Sequence, residues 1–335
     1  MRILITTGLK SSDVGGPAQY GPKLKEEFER SGHKAKAISY GIIERILPVG
    51  LRHLYFFLKI LPSVIWANKI IALDTFSVGV PSVFASKLLG RKIIVRIGGD
   101  FLWSAYVNRT SSPITLVEFY QKMPRLNLKE KLVTIFLRFL INNASFLAFN
   151  TDWQRQIWKS HYGMEDKIAG VVRNFVPEKS EPGIPKLKNF LWAGRVIPEK
   201  NLGMIRRVAN RIKSRHPDFR LDIVTGEQRE HVCERQKYCY ASFSAAYTDI
   251  CPNFIIETVS FNKPFIMTAE TGLNEIYSSG GIFLTPKHEK AWEDSIEAML
   301  DYRVYNKLQE ELASLHQEHS WVQIAREYID IWKKV

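Results

Sequence analysis

Two doubly wound α/β domains are the fold this sequence predicts. Short apolar runs of strand length alternate with helical patterns, and a Pro-rich break near the middle restarts that rhythm. The 335 residues also exceed what one hydrophobic core usually serves.

Residues 2–8 form an apolar run that ends at a loop, as a buried parallel strand does. That loop holds Asp13, Gly15 and Gly16. A helical pattern follows over 17–30, with Pro17 at its start and Gly32 just past its end. Runs at 34–40, 69–74, 92–97, 145–150 and 168–173 read as further strands. Helical patterns at 78–89, 131–142 and 153–162 separate several of them.

Residues 176–185 hold Pro177, Pro182, Gly183 and Pro185, the best linker composition in the chain. After it come strands at 189–193, 221–225, 246–250, 264–268 and 281–284, with helices at 201–214 and 252–261. Three helices close the chain at 289–300, 304–316 and 321–333, the last with Ser320 as N-cap. The division expected is a first domain over 1–177, a linker over 178–187 and a second domain over 188–318. A final helix over 319–335 is expected to pack back toward the first domain. Ligands of such sheets bind beyond the carboxyl ends of the strands, so two facing domains place the site in the cleft between them.

The net charge of +13 is unevenly placed: residues 1–180 carry 26 Lys+Arg against 13 Asp+Glu, and residues 181–335 carry 21 of each. A basic first half points to a polyanionic partner. Residues 42–67 and 129–142 mix Arg45, Arg52, Lys59, Lys129, Lys131 and Arg138 with Leu, Ile, Phe and Trp, a composition suited to an anionic membrane surface. The plainer reading is core-packing helices with solvated basic edges. No nucleic-acid module is recognisable. The run from 55 to 66 is broken by Lys59 and Pro62 and falls short of the roughly 20 residues of a spanning helix. The N-terminus reads as a first strand rather than a signal peptide. Three cysteines, Cys233, Cys239 and Cys251, are odd in number and lack zinc spacing, so they are expected as reduced thiols of a cytoplasmic protein.

Chemistry concentrates in the second half. Pro252 opens a helix whose first N–H groups, at Asn253 and Phe254, and dipole suit a phosphate. Glu257, one turn on, is placed to accept hydrogen bonds from ribose hydroxyls. Asp249, at the end of the preceding strand, suits a sugar hydroxyl. Alone, an Asp-x7-Glu pair is common by chance. Its company is Gly194-Arg195 and Glu199-Lys200-Asn201 at another strand-to-helix junction. There Gly194 permits close approach, while Arg195 and Lys200 supply a fork and a point charge for a diphosphate.

With these motifs the chain resembles the retaining GT-B fold glycosyltransferases of family 4. Gly-Arg-x3-Glu-Lys-Asn at 194–201, Asp249-x7-Glu257, the run 261–268 and Thr271-Gly272-Leu273-Asn274-Glu275 follow in that family's order. Gly15-Gly16 resembles its glycine loop, whose backbone approaches the donor diphosphate. Asn150-Thr151 and Asn174-Phe175-Val176-Pro177 resemble its pattern before the linker. The resemblance implies a nucleotide-sugar co-substrate and transfer to a hydroxyl acceptor, with the departing phosphate taking the proton. The catalytic set implied is Arg195, Lys200 and Asp249, and the donor-binding set is Gly15, Gly16, Gly194, Pro252, Asn253, Phe254 and Glu257. Three departures stand out. Asp249 replaces a Glu. Gly98-Gly99-Asp100 ends the strand that often carries a His, which makes Asp100 the candidate there. The stretch 227–248 is short where a βα unit usually helps hold the base.

No Asp-x-Asp and no His or Cys cluster is present, so no metal and no further cofactor is expected. The reading is a glycosyltransferase of envelope polysaccharide or lipid-linked glycan synthesis, peripheral on the inner face of the cell membrane. The alternatives are a sugar-nucleotide epimerase of the same fold, or a non-catalytic nucleotide-sugar binding module.

Overall fold

The computed structural model describes Met1–Lys10, Asp13 and Pro17–Val335. The chain divides into two compact units. One comprises Met1–Leu102, Arg125–Phe175 and Ser320–Val335; the other comprises Trp103–Pro124 and Val176–His319. The sequence division differs at two places: residues 103–124 group with the second unit, as does the Pro-rich segment from Val176; the last helix groups with the first unit, the side on which the sequence put it.

The first unit carries six parallel strands, β1 (Arg2–Thr7), β2 (Lys34–Ser39), β3 (Lys69–Ala72), β4 (Lys92–Ile97), β5 (Phe146–Phe149) and β6 (Ala169–Val171). Their order is β2-β1-β3-β4-β5-β6. Ile3, Ile5, Ile71, Ile94 and Ala148 bury one face against helices α1 (Pro17–Arg30) and α14 (Trp321–Lys334). Phe28 meets Trp332 at 5.8 Å between ring centres, and Trp321 stacks on Phe175 at 5.1 Å. Ser320 caps α14 as expected: its hydroxyl accepts from Gln323 N at 3.2 Å, and Ser320 N donates to Gln323 Oε1 at 2.7 Å.

Helices α2 (Ile42–Ile46), α3 (Val49–Trp66), α4 (Gly79–Leu88) and α7 (Leu128–Asn143) also belong to this unit, as does α8 (Asp152–Tyr162). Helix α3 runs unbroken through Lys59 and Pro62, so the sequence expectation of an interrupted segment is corrected. Lysine is compatible with a helix interior, and the Lys59 ammonium donates to Ser39 O at 2.9 Å and to the buried Glu44 at 2.5 Å. Among the described residues α3 is the one helix long and apolar enough to cross a membrane by length and composition. Phe56, Ile60 and Val64 are fully buried along one stripe, the i, i+4, i+8 pattern of a helix lying on a globular surface.

In the second unit β7 (Lys188–Ala193), β8 (Phe219–Val224), β9 (Ala241–Ser244), β10 (Phe265–Thr268) and β11 (Gly281–Leu284) are parallel in the order β8-β7-β9-β10-β11. Helices α5 (Phe101–Thr110, from Trp103 on) and α6 (Leu116–Lys122) join it from the first half of the chain. Helices α9 (Leu202–Arg215), α10 (Arg229–Tyr238), α11 (Asn253–Ser260), α12 (Glu289–Leu300) and α13 (Tyr302–Ser314) complete it. Met204, Ile205, Val208 and Ile212 of α9 share a core with Trp292, Ile296 and Met299 of α12. At the rim of that contact Arg207, Arg211 and Arg215, one turn apart, pair with Glu289, Glu293 and Glu297.

The segment read as a linker is bonded along the second unit. Lys179 Nζ donates to Val259 O, Asn262 Oδ1 and Leu312 O at 2.7–2.9 Å, Ser180 N donates to Ser260 O, and Gly183 N donates to Lys237 O. Lys263, with 0% exposure, donates to Gly183 O at 2.6 Å. The three cysteines are free thiols, and burial pushes Cys233 up to about 11 and Cys239 up to about 12.

Candidate functional site

Both sheets place the first strand between the second and third, so the strand order reverses there. Ligands of open α/β sheets bind at the carboxyl edge of that reversal. In the second unit the reversal lies between β7 and β9. The loops after these two strands carry Gly194-Arg195 and Asp249.

Beyond β7, Gly194 N donates to Val224 O at 3.1 Å, and the chain enters a 3-10 turn over Pro198–Lys200. Asn201 ends the turn at φ 50° and leads into α9; Asn takes this left-handed conformation more readily than most residues. The turn aims Lys200 at Asp249: Nζ donates to Oδ2 at 2.8 Å, and Ser244 Oγ donates to the same oxygen at 3.1 Å. Asp249 N donates to Glu270 O, tying the loop after β9 to the loop after β10. Asp249 lies in a loop, not at a strand end, because β9 is Ala241–Ser244 rather than the expected 246–250. Pairing with β7 stops at Ser242 and pairing with β10 at Ser244. Arg195 stays 77% exposed at its side chain, 3.6 Å from Glu199 Oε1.

Glu199 is buried, and helix α5 holds it. Ser104 Oγ donates to Glu199 Oε2 at 2.5 Å and Asn108 Nδ2 donates to it at 3.1 Å, while Glu199 N donates back to Asn108 Oδ1 at 3.4 Å. Leu116 N of α6 donates to Thr248 Oγ1 at 2.8 Å, beside Asp249. Residues 103–124 thus brace both loops of the site. Replacing Ser104 and Asn108 together with Ala removes both neutral donors from a buried carboxylate. We expect the double variant to lose about 3–6 kcal/mol in denaturant unfolding, from two hydrogen bonds to a charged group.

Pro252 is the N-cap of α11 rather than its first residue, and Asn253 and Phe254 open the helix. Glu257 lies on its second turn, 9% exposed, with Arg229 Nε donating to Oε1 at 2.5 Å. Burial pushes the Glu257 carboxyl up, and the adjacent guanidinium works against that. Arg229 opens α10, the single helix between β8 and β9, so the short stretch over 227–248 holds one helix and no additional strand.

The structure therefore brings Lys200 to Asp249, and Arg195 to Glu199, at the carboxyl edge of one sheet. Asp100 belongs to the first unit, where it is buried and accepts from Trp158 Nε1 at 2.8 Å. Gln154 and Trp158, one turn apart on α8, donate to Gly99 O and Asp100 Oδ2, and Asn150, just after β5, donates to Gly98 O, so that loop is held residue by residue. Gly15 and Gly16 lie outside the described residues. Sequence reasoning missed Ser104, Asn108 and Arg229. Only the i, i+4 spacing of the first two hints at a shared helix face. Among the described residues no cluster of three or more His, Cys, Asp or Glu is placed to hold a metal ion.

No protein-family model and no curated protein matches the chain. Solved structures do. Anabaena HepE in complex with UDP-glucose is 14% identical, with 100% of both chains covered and a TM-score of 0.70. Sucrose-phosphate synthase from Thermosynechococcus elongatus is 13% identical, covering 99% of this chain and 98% of its own, at 0.70. WaaG, a glycosyltransferase involved in lipopolysaccharide biosynthesis, is 13% identical, covering 98% and 99%, at 0.68. At such identities the likeness establishes the fold: two doubly wound α/β units, the GT-B architecture of these glycosyltransferases.

Proposed function

We propose that the protein is a glycosyltransferase of the family 4 type, moving a sugar from a nucleotide-sugar to a hydroxyl acceptor with retention. The observation that supports this best is the grouping of exposed Arg195 with the Lys200–Asp249 pair at the strand reversal. The start of α11 and Glu257 belong to the same unit. Arg195 and Lys200 stabilise charge developing on the diphosphate as the sugar C1–O bond breaks. The acceptor oxygen bonds to C1 from the same face, and its proton passes to the departing phosphate. Asp249, anchored by Lys200 and Ser244, accepts from a hydroxyl of the transferred sugar. The start of α11 faces the phosphates, and Glu257 takes the ribose hydroxyls. No metal is needed when two cations carry the charge. A panel of nucleotide-sugars and free nucleotides, screened by thermal shift and by slow donor hydrolysis, tests the donor site without knowledge of the acceptor. A clear hit supports transfer, and an empty panel removes it.

The acceptor is a lipid-linked or envelope glycan, and the first unit meets an anionic membrane at the inner face. Ile42, Ile46, Leu54 and Leu58 of α2 and α3 are exposed, as are Leu128 and Ile135 of α7. Exposed Lys129, Lys131 and Arg138 lie among the latter, and Arg45 among the former. Apolar groups beside cations suit headgroups over acyl chains. The protein should co-sediment with phosphatidylglycerol vesicles at low salt, less so as salt screens the attraction, and poorly with neutral vesicles. Failure with the anionic vesicles at low salt counts against this partner.

A further inference from the structure

The Arg229–Glu257 pair has a specific setting. A six-stranded dinucleotide-binding sheet places one more strand outside the second one. Here β8 is the sheet edge and α10 is the only helix linking it to β9. Helix α10 is pinned to α11 at both ends of one face. Arg229 Nε meets Glu257 Oε1 at 2.5 Å; seven residues on, Gln236 Nε2 donates to Phe254 O at 2.6 Å and Thr258 Oγ1 at 2.8 Å. Residues seven apart share a helix face. The guanidinium therefore cannot drift from the carboxylate without undocking α10. It is itself 35% exposed, so the pair borders solvent on the arginine side.

We propose that Arg229 is a positioning residue for the nucleoside: it fixes the Glu257 carboxylate as acceptor for ribose hydroxyls, and so makes the site select ribonucleotides over deoxyribonucleotides. This rests on the donor-site reading above. An ionised carboxylate only accepts hydrogen bonds, which matches the two donors of a ribose diol; a protonated one gives up an acceptor position. Glu257 is almost fully buried, and a buried carboxylate that loses its counter-ion takes up a proton rather than stay charged. The charged and titratable groups described around it are Arg229, Glu230 and Cys233, all on α10. Cys233, pushed up to about 11, stays neutral through the physiological range. Arg229 is thus the cation that keeps Glu257 ionised.

The test is calorimetric binding of UDP, GDP and ADP, then of the 2′-deoxy form of whichever binds, from pH 6 to 8.5. Wild type should prefer the ribonucleotide by about tenfold or more at every pH. Arg229→Met should lose most of that preference at low pH and regain part of it as pH rises and Glu257 ionises. Arg229→Lys, the fold-safe control, should keep the preference. Glu257→Gln should lose it with no pH dependence. An Arg229→Met protein with wild-type preference and a flat pH profile overturns the proposal while leaving the donor site standing. If wild type binds none of the three, the donor reading fails and this inference with it.

Discussion

Arg195→Ala and Lys200→Ala should each lower sugar transfer, or donor hydrolysis without acceptor, by about 100- to 1,000-fold with the protein still folded. The magnitude follows from what removal of one preorganised charge-stabilising group does to a developing anion. The loss should fall on turnover more than on nucleotide affinity, because α11 and Glu257 lie on other elements and still hold the nucleoside. The two variants differ in their side effects. Arg195 is mostly exposed, so its removal should leave the melting temperature nearly unchanged. Lys200 pairs with Asp249, so its removal leaves that carboxylate with Ser244 as its side-chain donor among the described residues and should lower stability slightly. Arg195→Lys should recover little, since an ammonium cannot fork onto two phosphate oxygens. Steady-state turnover measured beside a thermal melt separates these effects, and near-normal turnover in both alanine variants would sink the assignment.

Gly280→Ala should be strongly destabilising, because it combines a backbone strain with a clash. Gly280 sits at φ +78°, and a Cβ there would lie 2.3 Å from Leu312 Cγ and 3.1 Å from Leu312 N. Leu312 is fully buried and cannot swing away. Left-handed strain of roughly 1–2 kcal/mol adds to overpacking of roughly 1–3 kcal/mol. Against a typical total of about 5–15 kcal/mol, that is a large share. Gly163→Ala is the matched control: φ is +66°, with nothing within 4 Å of the added methyl. Urea unfolding should show it losing only the strain. Equal losses in the two variants would mean that Leu312 yields and the clash is not real.

The alternation of strands and helices was legible because each buried strand shows as a short apolar run, and Ser320 and Gly32 mark their helix ends as chemistry requires. Asp249 was misplaced onto a strand because Ala245, Ala246, Tyr247 and Ile250 extend the apolar character of 241–244, and composition cannot say where pairing stops. Its neighbours β7 and β10 decide that. Lysine is rarely fully buried unless paired, yet Lys263 is, because Gly183, 80 residues away, offers it a carbonyl. Arg229 meets Glu257 from a different helix, and Ser104 meets Glu199 from 95 residues away. Such partners leave no local trace, so the charged motif could be seen in the sequence but the groups that orient it could not.

The seat of α14 has a consequence in time. It closes the apolar face of α1 through Tyr20 with Tyr328 and Phe28 with Trp332, partners more than 300 positions apart. A ribosome adding about 5–20 residues per second needs roughly 15–60 s to travel from one to the other. Through that interval Leu24 and Phe28 have no native cover from α14, although the strands beneath them are complete about halfway through it. The unit that begins first on the ribosome is therefore the one whose core closes last. Its nascent α1 is a surface that chaperones, or a neighbouring chain, would meet before its own C-terminal helix does.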